Sequence, residues 1–112
     1  MENFKPISDS DNAIFITQLI YVIPGKETTF LEFEEVAIPI IAKYNGRLLI
    51  RTRPSNDTLI EHDIEAPYEI HLVEFESEQD FKNYMMDEVR KQFLHLKEAS
   101  NRASILFMGQ KL

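Results

Sequence analysis

The sequence contains no cysteine, which excludes disulfide bonds, thiol nucleophiles and thiolate zinc sites. It has no apolar run near the roughly 18 residues that a membrane-spanning helix needs. Basic side chains are outnumbered, with 12 lysines and arginines against 19 acidic residues and a net charge of −7, so nucleic-acid phosphates should be repelled. No glycine-rich phosphate loop, serine-nucleophile elbow or metalloprotease helix occurs. We therefore expect no cofactor, no nucleic-acid partner and no membrane partner.

The apolar content is sufficient for one hydrophobic core. A chain of 112 residues that is 44 % apolar fits a single domain and argues against disorder. Residues 1–12 show no hydrophobic periodicity and are rich in serine and aspartate, so we expect a flexible N-terminal arm followed by one domain over residues 13–112. The arm also lacks the basic start and apolar centre of a secretory signal, and we expect a cytoplasmic protein.

Hydrophobic periodicity predicts alternating strands and helices. The expected elements are a strand from Ile14 to Ile23, a helix from Lys26 to Tyr44, a strand from Arg47 to Arg53, a short strand from Thr58 to Ile60, a strand from Tyr68 to Phe75, a helical region after Ser77 and a strand from Ala103 to Met108. Pro39 lacks a backbone donor and predicts a kink or break in the first helix. Asn45-Gly46 should end that helix in a left-handed turn. A bend near Asp87 should divide the second helical region.

The order β-α-β-β-α-β is that of the ferredoxin-like split βαβ unit, an α+β fold. Right-handed crossovers place the first and third major strands at the centre of a four-stranded antiparallel sheet, with both helical regions on one face. The first strand is apolar on both of its sides, which indicates that both faces of the sheet are covered. Because two helical regions cover only one face, we expect a homodimer that buries the other face against a second copy.

Three segments resemble a family called "domain of unknown function 1330": IPIIAKYNGRLLIR at 38–51, VEFES at 73–77 and ILF at 105–107. The resemblance runs from about Phe15 to Phe107. Its most specific part is the helix proline followed by Tyr44-Asn45-Gly46-Arg47, where family members usually have tyrosine-glycine-glycine-arginine. The resemblance implies a dimeric α+β barrel made of two ferredoxin-like subunits packed sheet against sheet. Related branches include cofactor-independent monooxygenases, haem-degrading enzymes and lactone isomerases, while the family itself has no agreed activity.

The sequence departs from the family pattern at two places. Many members have an arginine two residues after the loop proline, whereas here Pro67 is followed by Tyr68 and Glu69. The usual serine-proline-glutamate-tyrosine of the second helical region is Met86-Asp87-Glu88-Val89 in this chain. If these positions line a shared pocket, either the ligand of this protein differs from that of its relatives or its site has decayed.

Arginine supplies the first candidate site. Arg47, Arg51 and Arg53 have the same parity along the second major strand, so a regular strand would align them on one face as an anion clamp for carboxylate or phosphate. Edge strands also carry charge to block further strand pairing, and nearby glutamates can neutralise each arginine. An inward-facing Glu74 would need Arg47 or Arg51 as its partner.

Histidine and tyrosine supply the other candidates. His71 lies mid-strand among apolar neighbours. It could act as an acid or base, with Tyr21 as a second catalytic group. Alternatively, it could be a core histidine held by a hydrogen bond. Tyr44 and Tyr84 can offer hydroxyl groups to a ligand or simply pack. Three scattered histidines without paired spacing do not predict a metal site.

Three functions remain open from the sequence. The first is a homodimeric protein that binds a small aromatic or amphipathic acid between sheet and helices. The second is a cofactor-independent monooxygenase or isomerase acting on a small aromatic or lactone substrate. The third is an accessory protein that only dimerises. Convergence of His71, Arg51 and Tyr21 on an enclosed pocket would favour the enzyme.

Overall fold

A computed structural model describes residues 12–112. Its strands are β1 (Ile14–Val22), β2 (Gly46–Thr52), β3 (Glu69–Phe75) and β4 (Asn101–Gln110), and its α-helices are α1 (Glu27–Ile40), α2 (Glu78–Met85), α3 (Glu88–Gln92) and α4 (Leu94–Ser100). The expected N-terminal arm, apart from Asn12, lies outside the described residues. Within the described part, no helix has the length and apolar character needed to cross a membrane.

The four strands form one antiparallel sheet in the order β2-β3-β1-β4. The two most apolar strands, β1 and β3, are central, as expected, and the helices follow β1 and β3 in the chain. The α+β, ferredoxin-like fold predicted from the order of elements is therefore confirmed.

The first helix buries one apolar stripe and ends next to Pro39, where the sequence predicts a kink or break. Phe30, Phe33 and Ala37 are buried in the core. Pro39 is the next-to-last residue of α1, and the chain continues as a 3₁₀ helix over Ile41–Tyr44, because a proline removes one backbone donor and crowds the preceding turn. Asn45 then adopts the left-handed conformation, with φ of 58°, and ends the helical segment.

The second helical region consists of three short helices rather than one bent one. Ser77 caps α2 by accepting a hydrogen bond from the Asp80 backbone, and Asp87 caps α3 in the same way through Arg90. The expected break near Asp87 is confirmed, and a second one falls at Phe93. The break at Asp87 resets the helical phase. Val89 is therefore exposed and Arg90 is buried, whereas one continuous apolar stripe along the region would bury Val89 and expose Arg90.

Strand β2 carries an irregularity that changes which way its arginines face. Arg47 pairs with Glu74 and Leu48 with Val73, but the next paired residue is Ile50, opposite Leu72, so Leu49 is an extra residue. A bulge of this kind reverses the alternation of side chains. The expectation that Arg47, Arg51 and Arg53 share one face is therefore wrong: Arg47 faces away from the helices, and Arg51 lies opposite His71.

The short strand expected from Thr58 to Ile60 is also absent from the described residues. A 3₁₀ turn occupies Asn56–Thr58 instead. Ser55 and Thr58 exchange side-chain and backbone hydrogen bonds, with the Ser55 amide donating to Thr58 Oγ1 at 2.8 Å. These local bonds compete with strand pairing.

The sheet has two distinct faces. The inner face, beneath the helices, includes Ile14, Ile16, Ile20, Val73 and Phe75, which are all buried. The open face carries the alternate residues of each strand. Its apolar members are Phe15, Leu19, Ile50, Ile70, Leu72, Ile105 and Phe107. Its exposed apolar character agrees with a sheet that needs cover on both sides.

Candidate ligand-binding site

A cavity of about 70 Å³, here called the inner cavity, lies between the inner face of the sheet and the helices. At roughly 10–15 Å³ for each water, this volume holds about five to seven waters, which occupy about 150–210 Å³ in the liquid and so match a small aromatic acid. Most of its lining is apolar, from residues such as Ile16, Phe33 and Phe75. Its polar lining residues are Gln18, Glu34, His71, Tyr84, Arg90 and Lys97. An apolar pocket with a few converging polar groups is the usual form of a small-molecule site.

Five charged or ionisable side chains form a cluster at one wall of this cavity, here called the Glu34 cluster: Glu34, Arg51, Arg53, Glu69 and His71. His71 Nε2 lies 2.6 Å from Glu69 Oε1 and 3.2 Å from Glu34 Oε2. Arg51 donates to Glu34 at 3.0 Å and to Glu69 at 3.1 Å, and Arg53 donates to Glu69 at 2.8 Å. Both carboxylates are almost fully buried, so these charged hydrogen bonds are essential to their burial.

One oxygen of the cluster has no donor. The Nε2 atom of an imidazole carries a single hydrogen, and the shorter contact of His71 is to Glu69. Glu34 Oε2 is consequently buried without a hydrogen-bond partner. A proton on Glu34 supplies the missing donor, because the protonated carboxyl group can donate a hydrogen bond to its neighbour Glu69.

The protonation of the cluster follows from its packing. Burial raises the pKa of Glu34, and the nearby Glu69 raises it further, against the opposing effects of His71 and Arg51. Burial works against ionisation of Glu69 too, but hydrogen bonds from Glu34, His71, Arg53 and Arg51 outweigh it and lower the pKa of Glu69 to about 2. For His71, burial lowers the pKa, but the hydrogen bonds to Glu34 and Glu69 prevail and raise it.

The donor atoms of Glu34, Glu69 and His71 lie within 4.8 Å of one another, close enough to hold a metal ion. Arg51 and Arg53 already bind these carboxylates. A divalent cation would therefore lie next to two guanidinium groups, whose positive charges disfavour its binding. The arrangement suits a shared proton better than a metal.

A second polar wall comes from α3 and α4. Arg90 is 5 % exposed, and its guanidinium lies 5.0 Å from the Tyr84 ring centroid and 5.8 Å from that of Phe33. Lys97 also lines the cavity; burial lowers its pKa, and the charge of Arg90 lowers it further. The cavity is thus flanked by a cationic wall and by the Glu34 cluster.

The two tyrosines predicted to bind a ligand have defined partners. Tyr84 lines the cavity and donates to the carbonyl of Ala37 at 3.0 Å, and burial raises its pKa. Tyr44 donates to Asp87 Oδ2 at 2.5 Å, which raises the pKa of Tyr44 and lowers that of Asp87. Tyr44 therefore ties the end of the first helical segment to the cap of α3, and Tyr84 belongs to the cavity wall.

Two other predicted residues lie on the far side of the sheet. Tyr21 has the parity of the open face and donates to the carbonyl of Glu65 at 2.8 Å. Arg47 pairs with Glu74 at 3.2 Å on that same face, whereas the sequence required Arg47 or Arg51 as the partner of an inward-facing Glu74. The structure brings His71 and Arg51 together but separates both of them from Tyr21.

Sequence reasoning missed Glu34, Glu69, Arg90, Lys97 and Gln18 as site residues. A signal was present for Glu34, which lies four residues after Phe30 and three before Ala37, and so within the apolar stripe of α1. Arg90 and Lys97 lie on different helices, α3 and α4, and both line the cavity, but the break between these helices leaves no continuous helical spacing from which to predict it.

Comparison with known proteins gives a fold but no family. No family model and no curated protein matches the chain. A protein of unknown function from Rhodopseudomonas palustris matches with a TM-score of 0.77 and 15 % identity, over 91 % of this chain and 84 % of that one. A dimeric protein of unknown function with a ferredoxin-like fold, from Bacteroides fragilis, matches with a TM-score of 0.65 and 15 % identity, over 89 % and 97 %.

A third match is a putative antibiotic biosynthesis monooxygenase from Bacteroides thetaiotaomicron, with a TM-score of 0.67 and 11 % identity over 90 % of each chain. Proteins of the NIPSNAP family have the same fold. At these identities the matches establish that the chain has the ferredoxin-like fold of proteins whose functions are mostly unknown.

Proposed function

We propose that this protein is a homodimer of the dimeric α+β barrel type that binds a small aromatic or amphipathic acid in the inner cavity. The observation that carries the proposal is the cavity itself, which is apolar along its length and polar at two walls. Membership in the "domain of unknown function 1330" family and a cytoplasmic location are finer parts of this proposal. His71 and Tyr84, which the sequence singled out, are the predicted site residues that line the cavity.

The lining supports an amphipathic ligand. The burial of an apolar body among Ile16, Phe33 and Phe75 contributes about 25 cal/mol for each Å² removed from water. Among residues 12–112, the Nε donor of Arg90 at one wall and the Oε2 atom of Glu34 at the other have no hydrogen-bond partner, so a polar group of the ligand would meet an unpaired atom at either wall. A fully apolar ligand would leave those walls desolvated and unpaired, which costs binding free energy.

The open face supports the homodimer. It presents Phe107 at 53 %, Ile50 at 52 % and Ile105 at 46 % exposure in the single chain. A second copy of the same sheet is the simplest surface of matching shape and hydrophobicity, and the ferredoxin-like protein from Bacteroides fragilis is described as dimeric. On this proposal, Arg47 and Glu74 form a buried ion pair in the interface.

Calorimetric titration of the purified protein with benzoate, phenylacetate and hexanoate tests the binding function. We expect at least one acid to bind once per subunit. Ala37→Leu adds three carbons at a buried position of the cavity wall and should weaken that binding at least about tenfold, because the added volume competes with the ligand. Ala99→Leu makes the same change at an exposed position of α4 and should bind like the wild type. Absence of binding by all three acids, or equal binding by Ala37→Leu, contradicts the proposal.

A second candidate is a cofactor-independent monooxygenase or isomerase acting on a small aromatic or lactone substrate. One observation favours it: the unpartnered Glu34 Oε2 and the imidazole of His71 lie together at the cavity wall, where a proton could pass to or from a bound substrate. Tyr21 cannot join them from the opposite face. A panel of quinols and lactones tests this function, and turnover that is unchanged in His71→Ala would remove the histidine from the mechanism.

A further inference from the structure

Arg90 is a buried cation without a carboxylate partner. Only 5 % of Arg90 is exposed to solvent, yet its side chain forms no ion pair among residues 12–112. Its Nε atom has no hydrogen-bond partner, and one terminal nitrogen makes a single long bond of 3.4 Å to the carbonyl of Met85. A buried guanidinium normally has its donors satisfied by an acidic side chain or a bound anion.

The acidic groups near Arg90 are engaged elsewhere. Asp87, the cap of α3, accepts hydrogen bonds from the Tyr44 hydroxyl and from the Arg90 backbone, and it forms an ion pair with Lys43 at 3.6 Å. Glu34, the one carboxylate among the described residues that line the cavity, is bound to Arg51 and lies against His71. The Arg90 side chain is therefore left with aromatic rings, the carbonyl of Met85, the Tyr84 hydroxyl and the cavity.

A second cation strengthens the positive character of this wall. Lys97 lies half-buried one helix further along the chain and also lines the cavity. Burial lowers the pKa of Lys97, and the positive charge of Arg90 lowers it further. A bound anion would offset the repulsion between these two cations and would accept hydrogen bonds from the unsatisfied donors of Arg90.

We propose that Arg90, supported by Lys97, forms the anion subsite of the inner cavity and binds the carboxylate of a small monoanionic acid. The apolar part of the acid then extends across the cavity towards the Glu34 cluster. This inference rests on the proposed binding function and makes it specific: the anchor of the acid is on the helices, and the arginines of β2 are structural partners of Glu34 and Glu69.

The test compares benzoate with benzamide, which has nearly the same shape and no charge. Calorimetric titration of the wild type should show benzoate binding at least about tenfold more tightly than benzamide, as expected for a charged hydrogen bond. Arg90→Met keeps an unbranched side chain as far as the position of Nε and removes the charged guanidinium, and should abolish this preference while leaving benzamide binding within about threefold. Arg90→Lys should retain a preference for benzoate.

Two controls separate a ligand-binding role from a structural one. Lys91→Met removes a neighbouring, exposed charge from α3 and should keep the wild-type preference. Thermal unfolding without ligand should show Arg90→Met at least as stable as the wild type, because the variant removes an unpaired buried charge. A structural arginine would instead give a lower melting temperature together with weaker binding of both ligands.

The outcomes distinguish this inference from the function on which it rests. If the wild type binds benzoate and benzamide equally, or Arg90→Met retains the preference for benzoate, the anion subsite is wrong while the binding function stands. If Arg90→Met loses stability and both ligands together, Arg90 is structural and the subsite is again wrong. If neither compound binds the wild type and the acid panel also fails, both proposals are wrong.

Discussion

His71 connects the buried Glu34 cluster to solution pH. Its hydrogen bonds to two carboxylates raise its pKa above the ordinary value of 6.5. A histidine whose pKa is raised by folding contributes stability that is fully present below pH 6.5 and is lost as the pH rises through the folded-state value. Glu69 behaves in the opposite sense, since its pKa falls from 4.5 to about 2, and its contribution is lost only as the pH falls from 4.5 towards 2.

The free energy of unfolding of the wild type should therefore decrease as the pH rises above 6.5 and through the folded-state pKa of His71. His71→Gln should flatten this dependence, and His95→Gln, at an exposed position, should leave it unchanged. Urea denaturation across the pH range measures all three proteins. Glu34, whose pKa is also raised, contacts His71 and changes in the same direction, so the difference between wild type and His71→Gln reports the histidine together with its effect on Glu34. Parallel curves for these two proteins would contradict the assignment.

Individual residues also show where sequence reasoning reaches its limit. His71 shares a side of β3 with Glu69, Val73 and Phe75, as simple alternation requires, but alternation does not say which side meets the helices. Arg47 pairs with Glu74, but on the open face rather than the inward one for which the sequence required a partner. Glu34 and Arg90 were missed because charged residues are normally assigned to solvent. Burial of a charge depends on partners that are distant in sequence, here Arg51 for Glu34 and the cavity for Arg90, and a single sequence does not show such partners.

At the level of elements, strand β2 shows why alternation fails where a strand is irregular. A bulge adds one residue to a strand, and from that point every side chain changes face. Leu49, the extra residue, has nothing in its chemistry that marks it as unpaired. The limits of β2 were predictable to within a residue, but the facing of Arg51 and Arg53 was not. The same holds for the three short helices, whose caps reset the phase of the apolar stripe.

Gly46 tests the packing between the first helical segment and the sheet. A Cβ atom at this position would lie 2.6 Å from a ring carbon of Phe75 and 2.7 Å from a methyl group of Ile41. Both neighbours are buried in the core and cannot move away freely. Gly46→Ala should therefore lower the free energy of unfolding by about 1–3 kcal/mol, measured by urea denaturation.

Gly109 is the matched control. A Cβ atom there would meet only the carbonyl oxygen of Phe15, at 3.9 Å, so Gly109→Ala should have a much smaller effect. Equal stabilities for the Gly46→Ala and Gly109→Ala proteins would show that the contact between Gly46 and Phe75 is looser than described.

At the scale of the whole molecule, the cavity and the proposed homodimer depend on the two faces of the sheet. The element order and the apolar character of both sides of β1 were enough to predict the four-stranded sheet and its central strands. The helices cover the inner face over β1 and β3 and bound the cavity, while Leu106 and Met108 of β4 are 42 % and 43 % exposed on that face. The open face exposes a row of aromatic and aliphatic side chains, and a patch of this kind marks an interaction surface.

The proposed homodimer buries the open face against a second copy of the chain, and light scattering coupled to size-exclusion chromatography measures whether it forms. We expect a mass of twice the 13.1 kDa of the chain, independent of concentration. Phe107→Asp places a charge on the open face and should shift the mass towards the monomer, whereas Val89→Asp, at an exposed apolar position of α3, should remain dimeric. A wild-type mass of 13.1 kDa at every concentration would contradict the claim.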